Sequence, residues 1–321
     1  MKNPPFSITN NILNAAMRVT HLLGELDGLS ITKPKVMLRK SNTIKTIQAS
    51  LAIEGNTLSL EQVSDILEGV PVLGPEKDIL EVKNAIVVYE KFSTFHFNSL
   101  IDLKKAHHLL MQGLITEAGC FRSSNVGVFA GSNVAHVAPQ HKMVPNLMKD
   151  LFSFLKRKDG ISLLIKSCIF HYELEFIHPF SDGNGRMGRL WQHLILFAYH
   201  RVFEYVVVET LIKNKQKEYY AVLGECDRNA ESTAFIEFSL NLIEQALWSY
   251  RDHLQYQPKT PADRLSMARQ QLNKNFSRKD YLMLFKNIST ATASRDLKFG
   301  IEQGFLEKNG DRRVTTYYFK Y

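Results

Sequence analysis

The sequence predicts a mainly α-helical fold that carries one short β-hairpin and ends in a small, separate module of short helices and two strands. Three observations predict it. Apolar residues recur at helical spacing through most of the first 250 positions. Strand-like alternation is confined to one stretch at 126–136 and another near the C-terminus. Between the two parts, His253 to Pro261 is polar and punctuated by Pro258 and Pro261, the pattern of a linker.

Composition narrows the class. At 321 residues and 45% hydrophobic content, two or three domains with a packed core are expected. No run of about 18 apolar residues occurs, and Met1-Lys2-Asn3-Pro4-Pro5 lacks a signal-peptide apolar region, so a soluble protein with no membrane partner is expected. Cys120, Cys168 and Cys226 show no metal-type spacing and read as reduced thiols of a cytoplasmic protein.

Taken in order, Ile12, Leu13, Ala16, Leu22, Leu23 and Leu26 suit an N-terminal helix. From Asn42, the residues Ile44, Ile47 and Leu51 give one apolar helical face that Gly55 stops, a helix over about 42–55. Glu54 falls at its C-terminal end, where an acid opposes the macrodipole by roughly 0.3–1 kcal/mol, so a cation is expected to hold it. Ser59 to Gln62 has capping-box form, and Gly69 with Pro71 ends the helix that follows. A longer helix runs from Pro75 to about Phe92, and Ser99 with Asp102 opens another. The adjacent His107 and His108 face different sides of that helix and make a poor metal pair, so they read as packing or surface residues.

Val126, Val128, Val134 and His136 alternate around Ala130-Gly131-Ser132-Asn133, a hairpin signal. Pro145 starts a helix with Leu147, Met148, Leu151, Phe152 and Leu155 on one face. Leu163 to Tyr172 are so spaced that about Ser162 to Ile177 is helical, and Pro179 ends that helix by pushing its predecessor out of the α region. Lys217 to Leu223 and Ala234 to Tyr250 close the bundle.

The stretch His178-Pro179-Phe180-Ser181-Asp182-Gly183-Asn184-Gly185-Arg186-Met187-Gly188-Arg189 organises the chain. Its turn brings the amides of Gly183, Asn184 and Gly185 to a helix N-terminus, an anion site. Arg186 and Arg189, three apart, project cations from one helical face at that anion. Asp182 supplies one carboxylate, too few for calcium but suited to Mg2+, which completes its shell with water and phosphates. His178 sits in a loop as a general base, since imidazole titrates near pH ~6.5. Each residue alone also fits a solvated inter-helix turn; the combination points to a polyphosphate.

This stretch resembles the Fic signature, His-Pro-Phe-x-Asp-Gly-Asn-Gly-Arg-x-x-Arg, with each specified position matched. The resemblance implies a Fic-type helical bundle and transfer of AMP from ATP to a Ser, Thr or Tyr hydroxyl of a target protein, releasing pyrophosphate. It gives His178 the proton, Asp182 the Mg2+ and Arg186 and Arg189 the β- and γ-phosphates. Tyr220 and Leu223 become walls of an adenine and ribose pocket. The hairpin becomes a flap that seats the target's main chain beside His178 by strand addition; the residues alone fit a plain surface hairpin as well.

Ser50-Leu51-Ala52-Ile53-Glu54-Gly55 resembles the Fic inhibitory motif, Ser/Thr-x-x-x-Glu-Gly/Asn, whose glutamate binds the second arginine, here Arg189, and blocks the γ-phosphate. Pro4-Pro5-Phe6 and Leu23 to Leu26 resemble the N-terminal extension of many Fic proteins. The expected domains are thus 1–95, an extension with the inhibitory helix; 96–252, the Fic core; 253–262, a linker; and 263–321. Self-modification and a homodimer are further expectations from the resemblance.

The last part holds +6 of the chain's formal +8. Helices near Asp263–Leu272, Ser277–Phe285 and Ser289–Gln303, then strands at Phe305–Lys308 and Arg313–Phe319, resemble a winged helix-turn-helix. Ser289, Thr290, Thr292, Arg295 and Lys298 would line its recognition helix, with Arg312 and Arg313 on the wing for DNA phosphates. Dimerisation or target docking fits the same module. Competing readings of the whole are a DNA-binding regulator with a nucleotide-sensing Fic domain, and a Fic enzyme that removes AMP or uses another phosphate donor.

Overall fold

The structure, a computed structural model, describes residues 3–28, 36–130, 133–255, 260–272, 275–286, 288–310 and 315–320; the side chains at 36–37, 128–136 and 255 lie outside that description. The chain divides into two compact units, Met1–Ile31 with Ser41–Arg251, and Thr32–Lys40 with Asp252–Tyr321. The first unit takes in the expected extension without residues 32–40 and the expected core up to Arg251.

In order, the chain up to Gln255 contains α1 (Asn10–Gly28), α2 (Val36–Ile53), α3 (Leu60–Leu67), α4 (Glu76–Glu90), α5 (Leu100–Met111), β1 (Gly127–Ala130), β2 (Asn133–Val137), α6 (Val144–Lys156), α7 (Leu163–Ile177), α8 (Asn184–Tyr199), α9 (Glu209–Asn214), α10 (Gln216–Asn229) and α11 (Thr233–Gln255). Helix α2 starts six residues before the expected Asn42, because Leu38, Arg39 and Lys40 are good helix formers that apolar spacing does not register. It ends at Ile53, so Glu54 lies in the turn beyond the last helical residue. Ser59 makes the predicted capping box with Gln62, and Ser99 and Ser162 cap α5 and α7.

The centre is the α7·α8 pair. Helix α7 buries Leu164, Cys168, Ile169, Phe170, Tyr172, Leu174 and Ile177 around most of its circumference, as a central helix must. Helix α8 packs Met187, Leu190, Trp191, Leu194 and Ile195 against it, and the Trp191 indole N–H finds the Phe97 carbonyl at 2.8 Å. The motif turn is the 178–183 connection between these two helices. Among the described residues, no helix is long and apolar enough to cross a membrane.

Strands β1 and β2 pair antiparallel, with Val128 opposite His136 and Phe129 opposite Val134 across a register shift. That confirms a hairpin; its turn residues 131–132 and the side chains of Val128, Val134 and His136 are outside the described residues. Val126 precedes β1 and is half-buried.

The second unit orders α12 (Pro261–Gln271), β3 (Asn275–Ser277), α13 (Arg278–Leu284), α14 (Thr290–Glu302), β4 (Leu306–Asn309) and β5 (Thr316–Phe319), with an antiparallel sheet in the order β3-β5-β4. This is a winged-helix arrangement. Its core gathers Leu265, Ala268, Phe276, Tyr281, Phe285, Ala293, Leu297 and Leu306. Strand β3 was not expected: three residues are too few for alternation to show, and Ser277 also caps α13. Residues 256–259, the middle of the expected linker, fall outside the described residues.

Candidate functional site

Helix α7 stops at His178, whose φ of 49° and ψ of 59° are left-handed. Proline at 179 removes the right-handed option, as expected, but the residue turns left-handed rather than extended. That conformation costs a non-glycine residue about 1–3 kcal/mol and needs outside support. Arg122 supplies it. The buried Arg122 donates Nε–H to the His178 carbonyl at 2.7 Å, Nη1 to Ser124 O at 2.8 Å and Nη2 to Pro139 O, while its backbone N–H reaches Pro179 O at 2.9 Å. One guanidinium thus ties both ends of the hairpin segment to the motif turn.

The His178 ring places Nδ1 3.3 Å from the Glu175 carbonyl. A carbonyl only accepts, so Nδ1 carries the proton and the lone pair lies on Nε2.

Beneath the turn lies His107, fully buried and stacked on Phe180 at 3.6 Å between ring centroids. Its Nδ1 accepts from the Gly119 N–H at 2.8 Å, and its Nε2–H donates to the Asp182 carbonyl at 3.0 Å. Burial holds His107 well below its ordinary value, to about 4, so it is a neutral strut under the loop. The reading of His107 as a packing residue was right in kind and silent on what it packs. Its neighbour His108 takes the Ala118 carbonyl instead.

The anion cradle is narrower than three amides. Gly183, at φ 84°, points its N–H at its neighbour's Asp182 Oδ1 (2.6 Å), and a Cβ there would meet Met111 Sδ at 2.8 Å. The Asn184 side chain is fully used in pinning Phe180, accepting from its N–H and donating to its carbonyl, both at 2.9 Å. These local bonds correct the expectation that Gly183, Asn184 and Gly185 present their amides alike: Asn184 shapes the loop with its side chain, and Gly183 is engaged.

Gly185 is where the cradle opens. A Cβ added to it would stand 2.5 Å from Glu54 Oε1, 3.1 Å from Arg189 Nη1 and 3.3 Å from Glu175 Oε1. Two carboxylate oxygens and a guanidinium therefore converge on the bare face of one glycine.

The two arginines do not project at one anion, as three-residue spacing predicted; Glu54 binds Arg189, while Glu81 and Asp182 bind Arg186. Arg189, buried, donates Nη2 to Glu54 Oε1 at 2.7 Å and to Ser50 O at 3.0 Å, and Nε to Ser50 Oγ at 3.0 Å. Burial pulls its pKa down, but the charge of Glu54, with Glu175 behind it, holds it above its ordinary value. Its Nη1 is buried and has no hydrogen-bond partner among the described residues. Arg186 lies between Glu81 Oε1 and Asp182 Oδ1, each at 3.0 Å. The expected cation for Glu54 is thus Arg189, and Ser50 contributes both a hydroxyl and a carbonyl.

Tyr220 on α10 is about half exposed, and partial burial, then the charge of Glu54, raises its hydroxyl. Leu223, one turn further along α10, is half-buried. Behind them, buried Tyr219 hydrogen-bonds Glu175 at 3.2 Å and His171 at 3.1 Å. In the second unit Ser289, Thr290, Arg295 and Lys298 are exposed and Thr292 is partly so, while Arg312 and Arg313 lie outside the described residues.

Arg122, His107, Glu81, Asn56 and Glu175 went unnoticed as site residues. None has a linear pattern; a charged residue within an apolar helical stretch, as at Glu81, was the one available signal.

Fold and site define a helical protein whose central helix α8 starts at a glycine turn backed by two buried arginines. Comparison with known proteins agrees. The model of the Fic/DOC family matches residues 97–196. A crystal structure of a Fic family protein from Desulfovibrio desulfuricans G20 is 37% identical, covers 99% of this chain and 98% of its own, and superposes with a TM-score of 0.76. The chain belongs to the Fic family. It is also similar to protein adenylyltransferase fic-1 of Caenorhabditis elegans, 32% identical over 54% of this chain and 34% of that protein, and to protein adenylyltransferase Fic of Aedes aegypti, 32% identical over 66% and 42%. The chain thus spans less than half the length of these two curated relatives.

Proposed function

We propose that the protein transfers AMP from ATP to a hydroxyl of a target protein and is held back by Glu54. The observation that carries this reading is the unpartnered, buried Nη1 of Arg189 beside Gly185, with the Glu54 carboxylate on the same guanidinium at 2.7 Å. The curated relatives named as adenylyltransferases support it.

The chain's own groups have these parts. His178 Nε2 takes the proton from the target hydroxyl as its oxygen forms a bond to the α-phosphorus. The bond from that phosphorus to the bridging β-oxygen breaks, and pyrophosphate leaves. The Gly185 amide and Arg189 receive phosphate charge once Glu54 gives way, acting by position and field rather than by covalent chemistry. Tyr220 flanks the same opening, and the hairpin's antiparallel edge suits main-chain pairing with a target.

The residues fit magnesium. Asp182 is exposed, its Oδ1 is occupied by Arg186 and the Gly183 N–H, and its Oδ2 has no hydrogen bond among the described residues. Magnesium takes one carboxylate and completes its shell with phosphate and water. Bound there, it would neutralise α- and β-phosphate charge.

ATP labelled at the α-phosphate tests the reading. Label on protein is expected, including on the protein itself, and His178→Ala is expected to lower it ~10²–10⁴-fold. Label that stays in free nucleotide with the intact protein would reject transfer. The exposed cations of α14 support a further role for the winged unit, contact with DNA phosphates through Arg295 and Lys298.

A further inference from the structure

The turn that follows α2 touches both motif arginines, one directly and one through a relay. Gly55, at φ 91°, ends α2 in a Schellman motif: its N–H meets Ala52 O at 3.1 Å and the Asn56 N–H meets Leu51 O at 3.1 Å. Glu54, just before the glycine, binds Arg189. Asn56, just after it, points the other way. Its Nδ2 donates to Glu81 Oε2 at 2.9 Å and Asp78 O at 3.1 Å, and its Oδ1 accepts from the Leu58 N–H at 3.1 Å.

Glu81 divides its oxygens. Oε2 takes Asn56 and Oε1 takes Arg186 Nη1 at 3.0 Å; both Glu81 and Arg186 are about 5% exposed. Arg186 and Arg189 lie three residues apart on α8, so a ring closes: Arg186, Glu81, Asn56, Gly55, Glu54, Arg189. Besides Asn56 and Arg186, Glu81 has the exposed Lys77 ammonium 4.0 Å from Oε1, and a buried charge with so few donors depends on each one. Without the Asn56 amide, Glu81 Oε2 loses its one side-chain donor from the turn.

We propose that Asn56 and Glu81 are positioning residues that tie the Glu54 turn to Arg186, so that the hold of Glu54 on Arg189 is set by the tie as well as by the ion pair. Thr57 reinforces it, sending both N–H and hydroxyl to Asp78 Oδ2 at 2.8 and 2.7 Å. The tie fixes the turn on α4, so the glutamate meets Arg189 from an anchored backbone. Loosening the anchor frees Glu54 without removing it. This rests on the reading of Glu54 as a brake on nucleotide seating.

The test is a double-mutant cycle on the full chain, read as affinity for a non-hydrolysable ATP analogue with Mg2+ by calorimetry. Asn56→Asp keeps the shape and turns the donor into an acceptor facing Glu81. It is expected to raise affinity about fivefold, one hydrogen bond's worth, and to add less than about twofold in a Glu54→Gly background. Asn56→Ala, which removes the donor without adding charge, should act in the same direction, with melting temperature recorded to confirm folding. A merely structural residue would lower melting temperature and raise affinity in neither background. No gain from either Asn56 variant where Glu54→Gly does gain overturns the tie alone, as does an equal gain in both backgrounds. No gain from Glu54→Gly itself overturns the brake, and the tie with it.

Discussion

Arg189 in the helical bundle and Arg264 in the winged unit are both buried against a carboxylate, and the two pairs differ in what the acid does. Asp296 gives Arg264 both oxygens, Oδ2 to Nε at 2.6 Å and Oδ1 to Nη2 at 2.8 Å, and takes the Tyr281 hydroxyl at 3.2 Å; its side chain is 1% exposed. Glu54 gives Arg189 a single oxygen, its side chain is 32% exposed, and Arg189 retains Ser50 and an open Nη1. An acid sealed in by three contacts cannot be exchanged without unfolding its surroundings. One that reaches solvent through a single contact can be displaced by a better anion.

Parallel substitutions would break this contrast most sharply. Asp296→Ala strands a buried guanidinium and is expected to cost the winged unit about 3–5 kcal/mol, seen as early loss of hydrogen-exchange protection over 260–320. Glu54→Gly is expected to leave the bundle's melting less affected and to raise nucleotide affinity about tenfold, near 1.4 kcal/mol. If Glu54→Gly instead melts the bundle as severely as Asp296→Ala melts its unit, the two pairs are alike.

Acid sharpens the comparison next. His107 is held to about 4 and His171 to about 3, both chiefly by burial, whereas residues 261–321 contain no histidine. Between those values and ~6.5 the unfolded chain binds protons that these two folded histidines refuse, so they make stability rise with pH across that window, while buried Glu173, raised to about 7, works against them. Full stability from these groups is present above ~6.5 and is lost as pH falls towards 4. For His107 alone the change is on the order of 3 kcal/mol. Chemical denaturation from pH 7 to 4.5 should show it as the difference between the slopes of the protein and of His107→Gln, since Glu173 is common to both.

The smallest expected effect contrasts two arginines within the winged unit. Arg295 is exposed, unlike Arg264, so Arg295→Ala should leave melting unchanged and reduce the salt dependence of duplex DNA binding by about one ion. Absence of any DNA binding by the full chain at low salt would end that reading.

Much of the fold was legible in the residues because helices and caps are local. Ser59, Ser99, Ser162 and Ser289 cap helices where a side-chain oxygen reaches an amide three positions on, a distance the backbone itself sets. The hairpin around 130–133 and the strands of the wing followed from alternation. Strand β3 and the early start of α2 did not, since three residues carry no period and a run of good helix formers needs no apolar stripe.

For the site, sequence by itself determined that a histidine, an aspartate, a glycine turn and two arginines would meet at the junction of two helices, because all lie within twelve residues and short-range geometry brings them together. Family resemblance added Glu54. Tertiary structure alone decided that Glu81 faces Arg186, that Arg122 holds His178 left-handed, and that His107 carries the loop. Those choices join residues about 55 to 105 positions apart, and a buried charge takes whichever partner the packing brings within reach, which no spacing along the chain can specify.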